Sequence, residues 1–196
     1  MTIRNLEHMC RPRSVAVIGA SDREGSVGRV VLRNIIDAGF EGPVYPVNPK
    51  YDHVAGLPCY ASAAALPQAP DLAVIVTPPQ TVPGIIGELG ERGTRAAVVI
   101  TAGLNDANGL RQKMLDAARP WLLRIIGPNT VGLMIPPMKL NAGFAHMAAA
   151  PGDIALLSQS GAIATSLIDW AAGRGIGFSH IVSLGDMADV DVADYI

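Results

Sequence analysis

Three short segments of this 196-residue chain, two rich in glycine and serine and one bearing a lysine, have the residue types and spacing to hold phosphate groups. Gly19-Ala20-Ser21 ends the apolar run Val15-Ala16-Val17-Ile18, and Gly25-Ser26-Val27-Gly28 follows it. Val27, Val30, Val31, Asn34 and Ile35 then recur at helical spacing, four of the five apolar. A glycine turn between a strand and a helix aims free backbone N–H groups at one point, and the helix dipole makes that point attractive to an anion. Ser158-Gln159-Ser160-Gly161 repeats the arrangement late in the chain, although Ser160 can equally be read as a plain helix cap.

The third segment, Asn48-Pro49-Lys50, follows the apolar run 44–47 and places a cation where NAD sites carry an acidic residue for the ribose hydroxyls. A cation there favours a ribose bearing a phosphate. Coenzyme A carries one at the 3′ position and NADP one at the 2′ position, so charge alone leaves both open. A solvated surface lysine is the bland alternative. The glycine after Gly19 is Gly25, so G-x-G-x-x-G is absent, which argues against a standard dinucleotide grip.

The elements that must carry these segments alternate regularly. Apolar runs at 15–18, 44–47, 72–76, 96–100 and 123–126 read as strands. The helices between them cover 27–38, a stripe on Val82, Ile85, Ile86 and Leu89, and 106–119. That pattern predicts a Rossmann-like, doubly wound parallel sheet over residues 1–130, with ligands at the carboxyl ends of its strands. The remaining strand ends offer Thr77-Pro78, Ala102-Gly103 and Gly127-Pro128-Asn129: small residues, prolines and amides, with no carboxylate pair and no nucleophile–base couple.

Residues 131–150 read as an irregular interdomain passage with a short strand near 141–144. A second α/β unit, truncated and flavodoxin-like, is expected over 151–196: a strand at 154–157, a helix with its stripe on Ile163, Leu167, Ile168 and Ala171, a strand at 178–184 and the start of a helix. One such βαβ unit is too small for a complete domain, so the chain reads as part of a longer protein. Truncation there would leave apolar surface free for self-association.

Composition narrows the class. Charged residues are 16% and the formal net charge is −2, which disfavours nucleic acid as a partner. No apolar run approaches the ~20 residues of a membrane span, and no signal-peptide core opens the chain, so a cytoplasmic setting is expected. Cys10 and Cys59 are too few for a disulfide framework, and His8, His53, His146 and His180 are too dispersed for a metal site.

Taken together, VIGAS at 17–21, VYPVNPK at 44–50, LAVIV at 72–76, IGPN at 126–129, LNAGF at 140–144 and ALLSQSGA at 155–162 resemble the NDP-forming acyl-CoA synthetases, relatives of the succinyl-CoA synthetase alpha subunit. The resemblance covers nearly the whole chain, in family order. It implies a CoA or acyl-CoA site with Gly19, Ala20, Ser21, Ser26 and Val27 along the phosphates and Lys50 at the phosphorylated adenosine end, beside Asn48 and Pro49. It also implies Thr77, Pro78, Ala102 and Gly103 along the adenine and pantetheine path, Asn129 towards the thiol, and Ser160, Gly161 and Ala162 facing the transferred phosphate. It implies chemistry from acyl-CoA, phosphate and NDP to acid, CoA and NTP through a phosphohistidine beyond Ile196, with further ligase and nucleotide-grasp domains in the same or a partner chain. No catalytic residue is expected within this segment.

Gly185-Asp186 departs from that pattern, since many such ligases carry Asn at the second position. With LEHMCRPRS at 6–14 it resembles relatives fused to a GNAT acetyltransferase domain, in which the ligase-like part serves protein lysine acetylation and regulates rather than catalyses. An NADP-binding oxidoreductase domain is a further alternative.

Overall fold

The computed structural model describes residues 4–196; residues 1–3 of the expected first unit lie outside the described residues. In chain order the elements are α1 (Glu7–Cys10), β1 (Val15–Ile18), α2 (Val27–Asp37), β2 (Val44–Val47), β3 (His53–Val54), β4 (Leu57–Pro58), β5 (Leu72–Ile75), α3 (Val82–Arg92), β6 (Ala96–Val99), α4 (Leu110–Ala118) and β7 (Arg124–Ile126). Then come β8 (Gly132–Ile135), β9 (Leu140–Gly143), β10 (Pro151–Ser158), α5 (Gly161–Ala172), β11 (Phe178–Ser183) and α6 (Val192–Tyr195).

Five parallel strands form the first sheet in the order β2-β1-β5-β6-β7. All four residues of β1, β5 and β6 are buried, as continuous apolar runs covered on both faces should be. β2 is an edge strand, where Pro46 removes no ladder bond that the sheet needs. From β1 the chain steps out to β2 and returns past β1 to β5. The crevice between β1 and β5 is therefore the switch point, where open α/β sheets take their ligands.

The second sheet has the order β10-β11-β8-β9. β10 and β11 are parallel and joined through α5, whereas β8 and β9 run antiparallel. The segment expected as an irregular passage thus carries two strands. β9 falls where a short strand was expected near 141–144, whereas β8 was not anticipated: it is a four-residue run opened by Gly132, and one of its pairing partners, β11, lies far along the chain. The helix expected from 106 begins at Leu110. Asn105 and Asn108 exchange side-chain-to-backbone bonds of 3.1 and 3.2 Å that hold the preceding turn open.

Helix α2 lies between the two sheets. Val31, Leu32 and Ile35 share one core with β1 and β5 on one side and with Leu133, Leu140, Ala142 and Val182 on the other. Asn34, the polar residue in the α2 stripe, donates through Nδ2 to the carbonyls of Gly143 at 2.9 Å and Ala145 at 3.1 Å, tying the helix to β9. On α5 the stripe is displaced. Ala164, Ile168 and Ala171 are buried, while Ile163 and Trp170 are more than half exposed, at 57% and 51%. Among the described residues no helix is long and apolar enough to cross a membrane.

Two polar clusters clamp the chain ends. Arg124, buried in β7, pairs through Nε with Asp189 at 3.0 Å and through Nη2 with Asp194 at 2.9 Å. Replacing Arg124 with alanine removes the charge partner of two carboxylates and leaves them backbone N–H bonds, from Ile125 to Asp189 and from Asp191 to Asp194. It is expected to lower unfolding free energy by about 3–5 kcal/mol in urea titration. At the other end Asp71 accepts from the Arg13 backbone at 2.9 Å and from its guanidinium at 3.1 Å. Burial raises the Asp71 pKa, but the Arg13 bonds and charges outweigh it, and the net shift is downward. A depressed carboxyl contributes stability above its unfolded value, about 3.9, and loses it as pH falls through the folded value. Asp71→Asn should therefore be less stable than the unaltered chain at neutral pH, with the gap closing below about pH 4.

Candidate functional site

The first turn is built by a close approach of helix to strand. A Cβ on Gly28 would stand 2.1 Å from the Gly19 carbonyl oxygen, so only glycine lets the α2 N-terminus sit against the end of β1. Gly19 itself has φ +96°, a region open to glycine, and its N–H donates to the Val47 carbonyl at 2.8 Å. Ser26 caps α2, accepting from the Arg29 N–H at 3.4 Å. The amides of Val27 and Gly28, at the first helical positions, have no intrahelical acceptor and face outward from the helix end.

Beside this turn, Asn48 locks the end of β2 in place. Its Nδ2 donates to the Ala20 carbonyl at 2.8 Å and its Oδ1 accepts from the Lys50 N–H at 3.0 Å. Lys50 is thereby carried at the rim of a cavity of about 760 Å³ that also has Gly19, Ser21, Ser26, Val27, Asn48, Pro49, Thr77 and Pro78 in its wall. A second cavity, about 770 Å³, is walled by Val27, Thr77, Pro78, Ala102, Asn129, Ser160 and Gly161. The two share Arg23, Val27, Val76, Thr77 and Pro78, so they run together along the carboxyl ends of the first sheet to the N-terminus of α5.

That path is braced by hydrogen bonds between neighbouring strand ends. The Thr101 hydroxyl donates to the Thr77 carbonyl at 2.7 Å, and the Asn129 N–H to the Thr101 carbonyl at 3.0 Å. Thr130 donates through its hydroxyl to the Ser183 carbonyl, and the Val131 N–H donates to the Ser183 hydroxyl at 3.2 Å. These bonds pin the second sheet to the first at the floor of the cleft. Ser160 caps α5, accepting from the Ile163 N–H at 3.3 Å, and a Cβ on Gly161 would come within 2.2 Å of a Val131 methyl. Ser160 is therefore a helix cap that also lines the cavity.

Three sequence-nominated residues lie outside both cavities. Ala20 is fully buried and contributes its carbonyl to Asn48; Gly103 accepts from Asn108 Nδ2 at 2.7 Å; Ala162 faces the exposed groove of α5 with Ile163 and Trp170. Sequence reasoning missed Arg23, which lines both cavities from the loop between Ser21 and Ser26, and Tyr51, whose hydroxyl lies 3.4 Å from that of Ser21. Cations one residue into a polar loop carry no periodic signal; only the meeting of the two cavities singles Arg23 out. Burial pushes both thiols, Cys10 and Cys59, above the ordinary cysteine range, which suits neither for nucleophilic work. Among the described residues no group of three or more His, Cys, Asp or Glu could hold a metal ion.

A scan against protein families matches residues 13–136 to the CoA binding domain. The chain belongs to that family. Beyond this CoA-binding domain, residues 151–196 match the succinyl-CoA ligase-like flavodoxin domain. The chain is similar to the ADP-forming acetate–CoA ligase of Methanocaldococcus jannaschii, 42% identical over 96% of this chain and 27% of that protein. It is also similar to the alpha subunit of ADP-forming acetate–CoA ligase I from Pyrococcus furiosus, 38% identical over 97% of this chain and 43% of that subunit. Among solved structures, acetyl-coenzyme A synthetase 1 of Candidatus Korarchaeum cryptofilum, in complex with phosphate and ADP, superposes with a TM-score of 0.92. It is 38% identical, over 97% of this chain and 41% of that one. The chain thus spans about a quarter to less than half of these relatives.

The Gly28 contact supplies a direct check on this geometry. Gly28→Ala must push α2 off β1, and we expect a loss of roughly 1–3 kcal/mol in thermal or urea unfolding, the range of an overpacked core. Gly25→Ala has open space around its Cβ but a φ of +72°, so its smaller cost is one of backbone conformation alone.

Proposed function

We propose that this chain binds coenzyme A along the two joined cavities, as the N-terminal part of an NDP-forming acyl-CoA synthetase. The observation that carries the reading is the continuity of the cavities. A cation rim at Lys50 leads past the helix end at Ser26 and Val27, then between Thr77 and Pro78, to the amide of Asn129 and the second helix end at Ser160. An extended ligand with a phosphorylated nucleoside at one end, a diphosphate in the middle and a slender arm fits that order. Lys50 would meet the 3′-phosphate, the Val27 and Gly28 amides would face the diphosphate, and Arg23 stands between the two stretches.

In the whole protein the second helix end would then face a phosphate passing between acyl group and enzyme. The overall conversion is acyl-CoA, NDP and phosphate to acid, CoA and NTP. The phosphoacceptor histidine and the nucleotide-grasp domain would come from the remaining ligase domains, in the same chain or a partner, in a cytoplasmic setting. The acetyltransferase-fused reading rested on residues 6–14 together with Gly185-Asp186, and Asp186 accepts a hydrogen bond from Asn129 at 3.1 Å. The oxidoreductase reading has no such support, since the family match falls on CoA binding.

Calorimetry with CoA, dephospho-CoA and NADP+ tests the assignment. Dephospho-CoA should bind more weakly than CoA by about 1–3 kcal/mol, roughly five- to 150-fold, the worth of a charge-assisted hydrogen bond. Lys50→Ala should erase that difference. Binding of NADP+ without binding of CoA would overturn the reading.

A further inference from the structure

Asn129 at the end of β7 donates through Nδ2 to Asp186 Oδ1 at 3.1 Å, across to the loop that follows β11. Both residues are held by their backbones. The Asn129 N–H is engaged with the Thr101 carbonyl at 3.0 Å, and the Asp186 N–H with the Pro128 carbonyl at 2.9 Å. Between them the chains approach so closely that a Cβ on Gly185 would stand 2.3 Å from the Pro128 carbonyl oxygen. The pairing of the two side chains follows from two anchored loops.

A carboxamide has a donor side and an acceptor side of nearly the same shape, and it turns to suit its neighbour. A carboxylate only accepts. Beside Asp186, Asn129 must turn its NH2 group to the carboxylate, which leaves its carbonyl oxygen for the cavity whose wall it forms. An asparagine at 186 would impose no such choice, because an amide pair bonds equally well in either sense.

We propose that Asp186 is a positioning residue that holds the Asn129 carbonyl oxygen towards the cleft, so that the site prefers free CoA to acyl-CoA. The inference rests on the CoA reading above. With the nucleoside end at Lys50, the far end of the ligand reaches Asn129, which lines the second cavity and not the first. Free CoA ends there in a thiol, a hydrogen-bond donor. An acyl-CoA presents a thioester oxygen, an acceptor, to the acceptor on Asn129, and the two repel.

The test is the ratio of the acetyl-CoA and CoA dissociation constants, measured by calorimetry on the unaltered chain, on Asp186→Asn, on Asn129→Gly and on the double variant. In the unaltered chain the ratio should exceed one. Asp186→Asn, which keeps the shape and a hydrogen bond, should lower it by about three- to tenfold, the worth of one ordinary hydrogen bond. Glycine suits the φ of +60° at Asn129, so Asn129→Gly should fold, give the same lowered ratio, and leave Asp186→Asn nothing further to change. A variant that merely loosened the loop would weaken both ligands together and leave the ratio unaltered. An unchanged ratio in Asp186→Asn, with both ligands bound, overturns this inference alone. A chain that binds neither ligand overturns the CoA reading and this inference with it.

Discussion

The distance between helix α2 and the end of strand β1 governs both halves of the molecule. Because Gly28 has no side chain, the helix reaches the Gly19 carbonyl, and its first amides open onto the β1–β5 crevice rather than onto solvent beside it. The same helix presents Asn34 to β9, so the position of its axis also sets where the second sheet stands. Move α2 outward by the width of a methyl group and two things shift at once: the anion-facing turn and the platform that carries Ser160.

That coupling explains why the core does not divide where the chain pattern would divide it. Val31, Leu32 and Ile35 are packed from both sides, and Val182, Leu184 and Val190 of the later segment belong to the same cluster as Val15 and Val17. Arg124 adds a polar counterpart at the far side, joining β7 to Asp189 and Asp194. Buried, it is held by two carboxylates that arrive some seventy residues later or a little less, at separations of 65 and 70 positions. Such pairing has no local signature, so the arginine passes in the sequence as one polar residue in a short strand.

Features set by neighbouring residues were legible in the sequence. The five strands of the first sheet, the cap at Ser160, and the cation after β2 all follow from short-range chemistry: apolar runs, glycine turns and caps. Features set by distant residues were not. β8 depends on pairing with β9 and with the distant β11. Arg23 depends on where two cavities meet, and Asp186 becomes meaningful only when the loop bearing it is found against Asn129, 57 positions away. The α5 stripe held at Ile168 and Ala171 but not at Ile163 and Leu167, for a different reason. Its period was right, but the face that the sheet covers is the one with Ala164 and Ile168, leaving Ile163 and Trp170 outside.

Charge is unevenly placed along the cleft. Lys50 and the amides of the α2 N-terminus line the first cavity together with Glu88, Arg23 stands where the two cavities meet, and the second cavity ends at Asn129, backed by the Asp186 carboxylate, and at the α5 N-terminus. Charge–charge energies fall only as the reciprocal of distance in a partly desolvated groove, so in the proposed complex Lys50 and Arg23 would attract the ligand's phosphates before any close contact forms. Reversed, the ligand would leave the Lys50 ammonium without the phosphate proposed for it. The short-range hydrogen bond at Asn129 then has only to choose between ligands already lying the right way round, which is a task suited to its modest energy.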